Sequence, residues 1–185
     1  MEDPSFPLEV IAILDIILPL FVLLFTTLTL VSLLLYTWKN GIGPTPTSRR
    51  TIKKVLAYTK EVKPASIAEL GAGWGTVAFA FAKAFPDTRI TAYETSPVPY
   101  LYMKLRLLLQ PQDNLVILRK NFLTESLDTY DFLYCYLYTG GMIQLQENLR
   151  TYEGWILSNT FAFRGWPESK KSDGLYLYSK KSCDG

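Results

Sequence analysis

The chain of 185 residues contains no histidine. That removes imidazole metal ligation, Ser-His hydrolytic triads and a histidine general base together. Cysteine is scarce: Cys135 and Cys183 are far apart, and neither has a second thiol near it. A zinc site or a disulfide framework is not expected, and both read as reduced thiols, Cys135 as a buried one. Residues 1–37 have no lysine or arginine but carry Glu2, Asp3, Glu9 and Asp15. All nineteen basic side chains therefore lie in the remainder, against thirteen acids, the total of seventeen less these four. Such scattered basicity is too weak for a nucleic-acid partner. It suits a surface that lies beside anionic lipid.

The longest feature is apolar. Ile16–Tyr36 holds twenty-one residues without a charge, fifteen of them Leu, Ile, Val or Phe. A helix of that length covers roughly 30 Å, the hydrocarbon thickness of a bilayer. At about −0.3 to −0.6 kcal/mol per residue, insertion is favoured by roughly 5–9 kcal/mol before Pro19 and end effects are discounted. A secretory signal would need a basic start and a small-residue cleavage site, which the acidic N-terminus and Leu-Leu-Tyr-Thr-Trp do not offer. A buried core helix would show a polar face, and this segment is apolar all round. The acidic, arginine-free start also argues against a mitochondrial presequence. Lys39, Arg49, Arg50, Lys53 and Lys54 follow the helix, so the positive-inside bias puts the N-terminus outside and the rest in the cytoplasm. Tyr36 and Trp38 suit the interface. The domain reading is then 1–38 for the segment with the membrane helix, 39–48 for a Gly/Pro/Thr linker and 49–185 for a globular domain.

Beyond the linker, helical and strand patterns alternate. Helices are expected at Arg49–Tyr58, Thr76–Phe85, Ser96-Pro97 to about Leu109, and Gly141–Leu149. Strands are expected at Ser66–Leu70, Arg89–Tyr93, Leu115–Arg119, Asp131–Leu137, Trp155–Phe163 and Leu175–Lys180. This alternation implies an α/β fold, a doubly wound, mostly parallel sheet with helices on both faces and a ligand at the carboxyl ends of the first strands.

The first strand runs into ELGAGWG, Glu69 to Gly75. A dinucleotide fingerprint, G-x-G-x-x-G, would need glycine at residue 76, which is Thr76. The actual spacing, Glu69-x-Gly71-x-Gly73-x-Gly75, is that of Rossmann-like folds that bind S-adenosylmethionine. This ligand has no phosphate for a helix N-terminus. It needs close backbone approach along Gly71, Ala72, Gly73, Trp74 and Gly75, and a carboxylate for its ammonium, for which Glu69 is placed. Glu94 ends the second strand, where a carboxylate accepts from ribose hydroxyls; nicotinamide enzymes put an acid there too, so it indicates a nucleoside without choosing one. Thr95 follows it. After the third strand, Asn121 stands where an Asp often meets the adenine amino group, and Phe122 is placed beside the ring or in the core.

Four blocks, ELGAGWG, AYETSP, YDFLYCYLYTGGMIQLQENL and FAFRGWPE, resemble in their order the small membrane-anchored class I methyltransferases. That group includes the lysine methyltransferases of the mitochondrial ATP synthase c-subunit and the ADP/ATP carrier, with bacterial counterparts. The resemblance covers roughly Pro44–Trp166 plus the preceding helix, and implies N-methylation of a protein lysine, with a membrane protein among the candidate substrates. Asn121 departs from the family's usual Asp, and the C-terminal region is short. A bacterial cytoplasmic membrane is the expected location, with no metal involved. A lysine nucleophile must arrive neutral, at a cost of about 4–5 kcal/mol at pH 7 that an apolar, aromatic pocket reduces. Tyr136 and Tyr138, alternating with Cys135 and Leu137 at the end of the fourth strand, are the candidate acceptor-site residues. A lipid headgroup or small-molecule acceptor, and a membrane-bound binding module without activity, are the competing readings.

Overall fold

A computed structural model describes residues 6–40 and 45–179. Glu2, Asp3, Lys180, Cys183 and residues 41–44 of the Gly/Pro/Thr linker lie outside the described residues. The N-terminal apolar run is one helix, α1 (Phe6–Asn40), longer at both ends than expected. Its segment Val10–Leu35 is long and apolar enough to cross a membrane. Asp15 is the single charge there.

The remainder forms α2 (Arg49–Val62), β1 (Ser66–Leu70), α3 (Thr76–Ala84), β2 (Arg89–Tyr93), α4 (Pro97–Leu109), β3 (Leu115–Leu118), β4 (Phe132–Cys135), α5 (Thr139–Asn148), β5 (Trp155–Asn159), β6 (Lys170–Ser172) and β7 (Leu175–Tyr178). A 3-10 turn, Phe122–Thr124, follows β3. Helix α2 starts on Ser48, whose hydroxyl accepts from the Thr51 amide, and ends on Lys63 in the left-handed region. The sheet order is β3-β2-β1-β4-β5-β7-β6. β1 to β5 are parallel, and β7 runs antiparallel to both β5 and β6.

Three expectations need correction. The fifth strand ends at Asn159, short of the expected Phe163. Strand β6 was not foreseen: Lys-Lys-Ser is exposed and carries no apolar signal. The fourth strand stops at Cys135 rather than Leu137. Cys135 is the last residue of β4 to pair, opposite Leu70 and Ser158, because β1 gives way at once to the glycine turn. Tyr136 and Tyr138 thus stand on an irregular segment, not on a common strand face.

The central strands are buried on both faces, as parallel strands under helices are. One core layer packs Val55 and Tyr58 of α2, Phe79 and Phe81 of α3 and Met103 of α4 on Ile67, Ile90 and Tyr134. The other sets Met142, Leu145 and Leu149 of the α5 region on Ala68, Leu133 and Ile156, with Tyr152 and Phe163. Phe163, Trp166 and Tyr178 form a ring cluster on that side, 5.0 and 5.2 Å from Phe163 to its two neighbours. The sheet reverses direction of winding between β1 and β4, which opens a crevice above their carboxyl ends.

Gly75 holds this arrangement together rather than touching the crevice. Its φ is +70°, and a Cβ there would lie 2.6 Å from the buried Met103 Sδ. Gly75→Ala should destabilise the protein by about 1–3 kcal/mol, read as a lower thermal midpoint of the detergent-solubilised chain.

Candidate active site

The carboxyl ends of β1, β2 and β3 and the segment after β4 enclose a cavity of about 340 Å³. That is the size range of cofactor and small-molecule pockets. Of the residues expected from sequence, Glu69, Gly71, Ala72, Gly73, Glu94, Thr95, Asn121, Phe122, Tyr136 and Tyr138 line it. Trp74 and Gly75 are outside its wall: Trp74 sets its ring edge-on to Tyr102 of α4, 5.3 Å between centroids.

The glycine turn is tied to the neighbouring strand by backbone. The amides of Gly71 and Ala72 both donate to the Tyr93 carbonyl, at 3.0 and 2.8 Å. Gly71 has φ +77°, which only glycine adopts cheaply, and this curls the chain away from the sheet at the cavity floor. The Gly73 amide then donates to Glu94 Oε2 at 2.7 Å, and the Ser96 amide to Glu94 Oε1 at 2.7 Å. Each carboxylate oxygen of Glu94 thus holds one loop and keeps lone-pair capacity towards the cavity. Ser96 caps α4 by position only; its hydroxyl makes no capping bond to the helix.

Glu69 is the anomaly. It occupies a strand buried on both faces and is itself 4% exposed. Its Oε2 has no hydrogen-bond partner. Burial pushes its pKa up to about 8, the amide of Ala78 pulls in the other direction, and Glu94 adds a repulsive charge. A buried carboxyl group beside an acid neighbour, one oxygen unpartnered and the residue itself part of the cavity lining, is set up to receive a cation.

Asn121 caps the 3-10 turn, its side-chain oxygen accepting from the Leu123 amide at 3.1 Å. One lone pair of that oxygen remains for a donor in the cavity. On the opposite wall Tyr138 packs over Gly140 and Gly141; a Cβ on Gly140 would fall 2.5 Å from the Tyr138 ring. The paired glycines leave the space that this ring fills. Tyr134, by contrast, is a core residue whose hydroxyl accepts from Asn159. Cys135 is buried and free, its thiol pushed up to about 12 by burial, which makes it unreactive. Phe161, Phe163 and Trp166 are absent from the cavity wall.

Sequence reasoning missed Thr45 and Thr47. They come from the segment read as a linker and line the cavity, with the Thr47 amide donating to the Thr76 hydroxyl at 3.3 Å. No periodicity marks them. Gln144, one turn into α5, and Lys120, paired with Glu125 at 2.8 Å, also reach the wall. Among the described residues there is no cluster of side chains able to hold a metal ion.

Known proteins give a consistent answer. Three solved structures share the fold at low identity. An RNA methyltransferase from Salinibacter ruber in complex with S-adenosyl-L-homocysteine superposes with a TM-score of 0.65 at 14% identity, over 73% of this chain and 93% of that one. A methyltransferase from Geobacter sulfurreducens gives 0.58 at 13%, over 80% and 85%. The S-adenosyl-L-homocysteine-bound methyltransferase PaMTH1 from Podospora anserina gives 0.54 at 17%, over 62% and 53%. No curated protein matches the chain. Residues 69–170, more than half of the chain and the whole of the cavity except its Thr45–Thr47 wall, match the ANTKMT methyltransferase domain. The chain belongs to that family and is an S-adenosylmethionine-dependent methyltransferase.

Proposed function

We propose that this enzyme is held on a membrane by α1 and methylates the side-chain nitrogen of a protein lysine. The cavity fits the methyl donor by its own chemistry: the orphan oxygen of Glu69 suits the ammonium of the methionine tail. Glu94 and Asn121, at the ends of β2 and β3, suit the ribose hydroxyls and the adenine amino group. Phe122 offers an apolar wall to the ring. Bound there, the donor would supply a methyl group on a sulfonium sulfur, to which an amine lone pair can bond as the C–S bond breaks and a neutral thioether leaves.

What the protein supplies is alignment and desolvation. The observation that carries the lysine reading is the acceptor wall itself. Tyr136, Leu137, Tyr138, Gly141 and Gln144 form it, and none is a charged acid or base. The two carboxylates of the cavity, Glu69 and Glu94, are engaged at the donor end. Such a wall takes up the apolar lysine stem, and desolvation there disfavours the charged form, while the Tyr hydroxyls and Gln144 accept from the amine. No residue has to act as a strong base if the amine arrives neutral. The family resemblance of the YLYTGG segment points the same way, and α1 favours an acceptor at the bilayer.

The test is to incubate membranes carrying the full chain with methyl-labelled donor, then separate protein from lipid. Label on lysine in protein is the expected result. Label in the lipid extract would instead establish the headgroup reading, which α1 serves equally well. Tyr138→Ala should lower turnover by about tenfold or more while changing donor affinity less than about twofold, and Tyr138→Phe should fall between. Equal loss of donor binding and turnover would move Tyr138 to the donor site.

A further inference from the structure

Helix α4 is built inside out. Its inner side buries Pro99 and Met103 against the sheet. Its outer side carries Leu101, Leu105, Leu108 and Leu109, between 56 and 76% exposed, with Tyr102 beside them. At 100° per residue these five positions fall within an arc of about 120°, opposite Met103. Lys104 borders the arc on one edge and Arg106 on the other, and the helix contains no acid. Arg106 lies over the Phe79 ring, 4.0 Å from its centre. An outward apolar face flanked only by cations is the pattern of a helix lying in a lipid headgroup layer, where acyl chains cover the leucines and anionic headgroups meet the cations.

A second observation fixes the occupant. α1 lies against α4. The partly covered positions in the second half of α1 are Thr29, Ser32, Leu33 and Thr37, which fall on one helical face near the end of the segment able to cross a membrane. The helix that carries the leucine arc therefore adjoins the apolar segment suited to lipid, near that segment's C-terminal end.

We infer that the outer face of α4 is seated in the headgroup layer of the bilayer, so that the catalytic domain rests on the membrane instead of hanging from a tether. The inference depends on the membrane reading of α1. It has a consequence for the site: Trp74 of the glycine turn packs on Tyr102 of this same helix, so the donor loop stands directly behind the seated face.

The experiment uses the full chain with Cys183→Ser, reconstituted in vesicles of phosphatidylcholine and phosphatidylglycerol; Cys135 is buried and does not label. Single cysteines at Leu105→Cys, Leu108→Cys, Glu147→Cys and Leu24→Cys carry a nitrobenzoxadiazole probe. Quenching by acyl-brominated lipid is compared with quenching by aqueous iodide. Probes at 105 and 108 should be quenched at least about threefold more by bromolipid than by iodide, as at 24, and the probe at 147 should show the reverse. Lipid quenching at 24 with iodide quenching at 105 and 108 overturns the inference and leaves the membrane reading standing. Loss of lipid quenching at 24 overturns the membrane reading and the inference with it. Shielding of 105 and 108 from both quenchers overturns it in favour of a second copy or another protein on that face.

Discussion

Replacing Glu69 by glutamine is expected to stabilise the donor-free protein at and above neutral pH and to remove most of its affinity for S-adenosylmethionine. The two effects have one origin. In the folded protein the carboxyl group holds its proton up to about pH 8, because it is buried, whereas in the unfolded chain it ionises near 4.5. Between those values the native state binds the extra proton, so stability falls as pH rises through the window and levels above it. The cost above pH 8 is about 2–5 kcal/mol, and glutamine removes it. Donor binding runs against this slope. Pairing with an ammonium favours the carboxylate, so affinity should rise about tenfold per pH unit up to about pH 8 and then flatten, with a proton released on binding. Glu69→Gln should bind at least about a hundredfold more weakly at pH 8 and show no such slope. Calorimetric donor titrations in buffers of different ionisation enthalpy, paired with thermal unfolding from about pH 5 to about pH 9, read all of this. A wild-type affinity that is flat across the window, unaffected by Glu69→Gln, would sink the assignment.

Glu94 should prove even less tolerant, because the usual conservative replacement fails there. Both of its oxygens accept from backbone amides, Gly73 on one side and Ser96 on the other. Glutamine has one oxygen to offer and would turn its own N–H towards the other amide. Glu94→Gln therefore leaves a donor facing a donor in a site that is 7% exposed. Glu94→Ala leaves two amides without partners. Either change should cost about 2–4 kcal/mol of stability and weaken the donor by more than about tenfold, since the same carboxylate is expected to meet the ribose. Equilibrium dialysis against labelled donor separates these losses if binding is measured well below the variants' melting temperature. Unchanged donor affinity in folded Glu94→Ala would mean that the ribose lies elsewhere.

Much of this site could be read in the chain because the elements that build it obey local rules. β1 and β2 have the bounds their apolar runs predict, since each is flanked by residues that stop a ladder. Glu69 stood out because it leads the glycine motif, two residues before Gly71, where a carboxylate can meet an ammonium. The glycine spacing was informative because left-handed turns need glycine at each of Gly71, Gly73 and Gly75. What stayed hidden depended on partners distant in sequence. The length of β4 is set by where β1 stops, so the alternation that continues through Tyr138 misled. β6 exists only because β7 offers its edge to Lys170–Ser172. The apolar outer face of α4 looks, in sequence, like any buried helix; only the sheet shows which side is inward.

The threonines at 45 and 47 change where this protein can be cut. A fragment that begins at Arg49, the natural choice for removing a greasy leader and obtaining soluble material, would lack one wall of its donor cavity and the Thr47–Thr76 bond that closes it. Feeble donor affinity in such a fragment would describe the excision and not the enzyme.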